Sequence, residues 1–143
     1  MARIQRQEAC PMPARTSPFE QQKRTAREER FLAIPFAFSM AGGEYSTPLR
    51  IPVSYDFRLE MLNSYFEREY YLQIRDDFRT EELFYEPVRG SLITGDGRLP
   101  FILPKPYTFA AGSSITVTVI DTTTGTPPAA IVEVVLIGYK VLR

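Results

Sequence analysis

The chain has 143 residues, 44% of them apolar and 13% aromatic, a composition that fits one globular domain long enough to bury its own core. Seventeen basic residues balance seventeen acidic ones, so no global charge points to nucleic acid or to an acidic substrate. Histidine is absent and Cys10 is the single cysteine, which removes imidazole and thiolate metal sites, the commonest general base and any internal disulfide.

The N-terminus has no apolar signal-peptide core, and no run approaches the roughly 20 apolar residues of a membrane helix. A soluble protein made in a cytoplasm is expected. Residues 1–16, MARIQRQEACPMPART, are polar and carry prolines, and they read as an extended arm. In SPFE at 17–20, Ser17 suits a helix cap, Pro18 the first helical position and Glu20 the capping box, which predicts a helix over 18–30. Its apolar face is thin, with Phe19 and Ala26 seven residues apart, so it needs a surface to dock on. Residues 1–30 hold seven Lys or Arg against four acids, and the rest of the chain carries the matching acidic excess. The division is thus a mildly basic arm, 1–30, and a β domain, 31–143. The charges would let the arm of one copy lie on the body of another.

Phe31 to Phe38 is a short apolar strand interrupted by Pro35, which predicts an edge strand or a bulge. Gly42-Gly43 makes a turn. Ile51, Val53, Tyr55, Phe57, Leu59 and Met61 share one parity and polar residues fill most of the other, the pattern of a half-buried strand. Tyr70, Leu72 and Ile74 alternate with Tyr71, Gln73 and Arg75, a further strand. ELFYEPV is a shorter one stopped by Pro87, and TGDGR at 94–98 is a turn. Prolines at 100, 104 and 106 forbid a helix and a central strand, so LPFILPKPY runs extended along a sheet edge or between sheets. Ile115, Val117 and Val119 mark a strand, and DTTTGTPP is an exposed hairpin loop. AAIVEVVLIGYKVL is apolar on both parities from Val134 to Ile137, which predicts a central strand covered on both sides, or one that bends at Gly138. About seven or eight strands with turns between them give an all-β fold, an antiparallel β-sandwich or jelly roll.

Little in this sequence has the form of chemistry. Asp76-Asp77 and Glu81-Glu82 are adjacent acids, which point to opposite faces of a strand, and they read as solvated loop residues. Tyr70-Tyr71 and Phe84-Tyr85 read as core packing with one exposed ring per pair. No nucleophile elbow and no phosphate loop is present. The basic residues of the arm are diluted by acids and lack interleaved aromatics, so the arm is read as contacting protein and not nucleic acid. No catalytic, metal or cofactor-binding residue is assigned.

One longer pattern is informative. Gly95, Gly97, Pro100, Phe101, Leu103, Pro104 and Pro106, then Gly112, Ser113, Ile115 and Val117, then Gly138, Tyr139 and Lys140, resemble the small structural proteins of tailed-phage virions over roughly the last third of the chain. The resemblance implies a sandwich or jelly-roll component that cements or decorates the capsid, with a neck or head-tail adaptor as the alternative. It implies a homo-dimer or homo-trimer partnered by the major capsid protein or other virion proteins and located in the virion. It transfers no active-site residue and no cofactor.

On that reading the interface candidates are Arg3, Ile4, Arg6, Phe19, Lys23, Arg24 and Arg27 of the arm and Pro104, Pro106 and Tyr107 of the proline-rich stretch. A second reading is a carbohydrate-binding module, with Tyr71, Tyr85 and Tyr107 as the stacking row. A cupin-like metal enzyme is the third and weakest, because such barrels hold metal through histidine.

Overall fold

The computed structural model describes residues 29–142. They form nine strands, β1 (Glu29–Met40), β2 (Gly43–Arg50), β3 (Tyr55–Phe66), β4 (Tyr71–Asp76), β5 (Glu81–Glu82), β6 (Val88–Arg89), β7 (Phe101–Phe109), β8 (Ser114–Asp121) and β9 (Ala130–Leu142), with one short helix, α1 (Gly90–Ile93). Two antiparallel sheets pack into a β-sandwich. Sheet A has the order β1-β9-β3-β7; sheet B has the order β2-β8-β4-β5, with β6 also on β4. β5 and β6 pair with opposite ends of β4, so together they act as one broken edge strand. From β1 to β4 and again from β7 to β9, every strand lies in the other sheet from its predecessor.

Alternation explains most of the elements. β8 buries Ile115, Val117, Val119 and Asp121 and turns Thr116, Thr118 and Ile120 the other way. β4 buries Leu72, Ile74 and Asp76, and β1 buries Ile34, Phe36, Phe38 and Met40. With Phe57, Leu59, Leu62, Tyr70, Phe109, Val132, Val134 and Leu136, these apolar side chains make one core between the sheets. Pro35 lies on an edge strand, as its missing N–H requires. Pro104 and Pro106 lie on the opposite edge, where the single residue Glu60 of β3 faces the four residues 103–106 of β7. The glycines of both expected turns, Gly42-Gly43 and Gly95 with Gly97, have positive φ.

Four expectations need correction. Residues 51–54 precede β3, and Val53 is exposed. The alternation of β3 does not continue to Met61, because the ladder slips between Leu59 and Met61 and Leu62 turns inward instead. An extra residue on one strand of an antiparallel pair reverses the parity of everything after it. β9 is central, but the first of its two alternatives fails: among the described residues it is not covered on both sides, since Ile131 and Glu133 on its outward parity are exposed, and the irregularity of its ladder with β3 falls at Gly138. The helix expected over 18–30 cannot include its last two residues, since Glu29 and Arg30 begin β1, and its remainder lies outside the described residues. Helix α1 was not foreseen.

A buried hydroxyl network fixes the segment after β3. The Tyr70 hydroxyl lies 3.0 Å from Thr94 Oγ1, which is 2.6 Å from Ser64 Oγ and donates to the Gly90 carbonyl at 2.7 Å. Gly90 packs so closely under the Tyr70 ring that any Cβ would collide with it. Tyr70→Phe is expected to lower stability by about 1–2 kcal/mol, because Thr94 and Ser64 lose a buried partner. Urea denaturation reads this directly, and an unchanged midpoint would show the network to be dispensable.

Candidate functional site

The two sheets differ on the faces they turn away from the core. On sheet B that face is mainly polar, with the Tyr71–Ile120 pair at one end and Gln73 buried under the Phe84 backbone. Gln73 lies opposite Thr118 and Arg75 opposite Thr116, with Ser46 beside Thr118 at 2.8 Å and Asp77 bonded to both Arg75 and Thr116. On sheet A it is apolar. Register places Ala33 of β1 opposite Ile137 of β9, Ile137 opposite Met61 of β3, and Met61 opposite Ile102 of β7. One unbroken apolar row therefore crosses all four strands. Pro35 and Val135 flank it on one side, and Phe31 and Tyr139 on the other. The bulge at Glu60 creates this row, because it turns Met61 out and into line with Ile137.

The face is open where it matters. Ile102 is 69% exposed and Phe31 65%, one on each edge strand, and Ile131 and Tyr65 are about half exposed. A shallow depression of about 210 Å³ lies between Tyr65, Gly97, Glu133, Val135 and Ile137. Two carboxylates mark this end of the face: Glu67 accepts the Ile131 N–H at 2.8 Å, and Glu133 has no ion-pair partner among the described residues. Toward the far end Arg58 pairs with Glu60 at 2.7 Å and lies 5.3 Å over the Tyr139 ring. Exposed apolar area of this continuity marks an interaction surface more often than a solvated one.

At the β7 edge lies a second apolar feature, a groove of about 340 Å³ where β7 meets the 83–93 stretch of the other sheet. Leu83, Phe84, Ile93, Phe101, Leu103, Pro104 and Tyr107 line it. Tyr107 closes its end. The Tyr107 hydroxyl donates to Asp76 Oδ2 at 2.8 Å, its ring meets Phe109 edge-on at 4.8 Å, and Arg79 sits 5.7 Å over it. Burial, reinforced by the neighbouring Asp76 and Glu81 carboxylates, pushes the Tyr107 phenol up to about 12, so near neutral pH it stays a neutral donor.

Of the sequence-derived interface residues, Pro104 and Tyr107 line this groove and Pro106 is exposed beside it. Arg3, Ile4, Arg6, Phe19, Lys23, Arg24 and Arg27 lie outside the described residues. Asp76 is not a solvated loop residue. It is fully buried and accepts the Phe78 and Arg79 backbone N–H groups as well as Tyr107. The proposed stacking row does not form. Tyr71 opposes Ile120 on the outward face of sheet B, whereas Tyr107 opposes the buried Leu59. The outward face of sheet A was missed by sequence reading, because Met61 was assigned to the core.

Compared with known proteins, the chain matches no family model, no curated protein and no solved structure.

Proposed function

We propose that this protein is a non-catalytic structural subunit that cements or decorates a phage capsid, working as a homo-oligomer on the major capsid protein. The observation that carries the reading is the inequality of the two sheet faces. A sandwich that shows water a mainly polar face on one sheet and an apolar row across the other is suited to being covered on one side. Full burial of Ile102 or Phe31 would contribute about 1.5–3 kcal/mol each, and repetition over a symmetric shell multiplies the effect through avidity. The strand order adds support. Early and late strands interleave in both sheets, β1-β9-β3-β7 and β2-β8-β4-β5, as in the double Greek key of a jelly roll, an architecture that viral coat proteins share with lectins. The resemblance in the proline-rich and C-terminal strands supplies the virion; fold by itself does not carry function.

The test is co-sedimentation with shells assembled from the major capsid protein encoded in the same genome. The wild-type chain is expected to pellet with shells, and Ile102→Glu to bind at least tenfold more weakly with an unchanged melting temperature. Equal binding by the variant would remove sheet A as the contact. A chain that ignores shells but is retained on immobilised glycans would replace this reading with the carbohydrate-binding one.

A further inference from the structure

We infer that the free edge of β2 is a contact between two copies of the chain, in which β2 pairs antiparallel with its own symmetry mate about a two-fold axis at Thr47. The contact uses an edge of sheet B, not the face of sheet A, and does not depend on the capsid reading. β2 is the outermost strand of sheet B and pairs only with β8. Apart from the half-buried Tyr45 it is exposed along its whole length. Sheet A therefore leaves its core-side residues uncovered. Thr47 is exposed and Leu49 is 36% exposed, although Val117 and Ile115 opposite them are fully buried.

Alternation sets the backbone groups at this edge. The Ile51 N–H donates to the Ser113 carbonyl at 2.7 Å, in continuation of the β2–β8 register. In an antiparallel ladder every second residue makes such bonds. Tyr45, Thr47 and Leu49 therefore bond to β8, and Glu44, Ser46, Pro48 and Arg50 aim their backbone groups at the free edge. Pro48, which has no N–H, falls in the second set, where the ladder with β8 loses nothing.

The side chains select a second copy as the partner, and one register. Glu44 and Arg50 stand at opposite ends of β2, both exposed, and neither has an ion-pair partner among the described residues. Antiparallel pairing centred on Thr47 sets Glu44 opposite the partner's Arg50 and Arg50 opposite the partner's Glu44. These two pairs also exchange their backbone hydrogen bonds, and the Ser46 N–H donates to the partner's Pro48 carbonyl. On the core side Tyr45 lies opposite the partner's Leu49 and covers it, and the two Thr47 side chains meet at the axis. Opposite-charge, aromatic–aliphatic and threonine–threonine pairs each favour a ladder. A slip of two residues in either direction breaks both charge pairs. The other sheet edges lack this self-complementarity. β1 carries its charges, Glu29 and Arg30, at one end only. β7 contains Pro104 and Pro106, and its Thr108 carbonyl already accepts Arg79. β5 and β6 are two residues each. Because a two-fold contact consumes the same edge in both copies, the pairing closes at two chains and does not propagate.

Sedimentation equilibrium of the full chain tests the contact, with Glu44→Arg, Arg50→Glu and an equimolar mixture of the two variants. The wild type is expected to reach twice the monomer mass. Each variant alone is expected to dimerise at least tenfold more weakly while keeping the wild-type circular dichroism spectrum, because it sets like charges opposite each other. The mixture is expected to recover the dimer, because every cross-strand pair in it again joins an acid to a base. A wild type that stays monomeric at every concentration would overturn the contact. Single variants that dimerise as the wild type does would overturn the site, and a mixture no stronger than its components would overturn the register. Failure here is separable from failure of the capsid reading. Recovery in the mixture by a protein that ignores shells leaves the pairing standing, and a monomer that pellets with shells overturns the pairing while sparing the shell contact.

Discussion

Gly138→Ala is expected to cost the sandwich about 3–5 kcal/mol, a third or more of the stability of a typical domain. Gly138 lies opposite Leu59, at the point where β3 carries its extra residue. A Cβ there would land on the Arg58 carbonyl oxygen and within 3.1 Å of Leu59 Cα. Both obstacles are backbone, so no side-chain rotation relieves them. The ladder would have to open between β3 and β9, the two central strands of sheet A. A loss of this size lowers the melting temperature by about 10–20 °C in a domain of this length. A midpoint within 0.5 kcal/mol of wild type would mean that the bulge is softer than its register indicates.

Removal of the Asp121 carboxylate is the second large effect. Its side chain is fully buried, and it accepts the Gly42 N–H at 2.9 Å, the Thr123 N–H at 3.1 Å and the Arg68 guanidinium. Arg68 also donates to the carbonyls of Met40 and Pro128. One ion pair therefore ties together the β1–β2 turn, the β3–β4 connection, the end of β8 and the loop before β9. Asp121→Ala is expected to lower stability by about 2–4 kcal/mol, because it strands buried donors. The pH dependence has a defined sign. The Arg68 guanidinium beside it, with the Thr123 and Gly42 N–H groups, holds the Asp121 carboxyl well below the usual carboxylate range. A depressed folded-state value contributes stability that is complete above about pH 4 and is lost as pH falls through the folded value. The gap between wild type and Asp121→Asn should therefore be constant from pH 7 to about pH 5 and shrink below pH 4. A gap that widens in acid would contradict the pairing.

Local rules explain what could be read in advance. Pro35, Pro104 and Pro106 announced edges because a missing N–H is intolerable in a central strand, and both strands lie at the edges of sheet A. The period-two pattern placed β8 and most of β4 correctly, since the apolar parity of each is buried, although Gln73 on the other parity of β4 is buried as well. Pairing order was not legible, because β1 meets β9 from the other end of the chain and no local pattern encodes so distant a contact. Met61 misled for a definite reason. Alternation predicts facing only while the ladder keeps one register, and the slip at Glu60 leaves no mark in residue type. Asp76 and Asp121 look like ordinary strand-end acids; their burial depends on Tyr107 and Arg68, 31 and 53 residues away.

The ladder between β1 and β9 also makes the body mechanically directional. Twelve consecutive pairs run from Glu29–Val141 to Met40–Ala130. A load applied at Glu29 along the strand axis, with the body held at the Met40 end, strains all twelve pairs at once, so rupture demands that they fail together. A load that separates Glu29 from its neighbour Val141 strains only the terminal pair and then the next, and the strand peels at low force. A tether leaving β1 along its own axis would make the subunit a strong link in tension, whereas the same tether bent sideways would make it a releasable one.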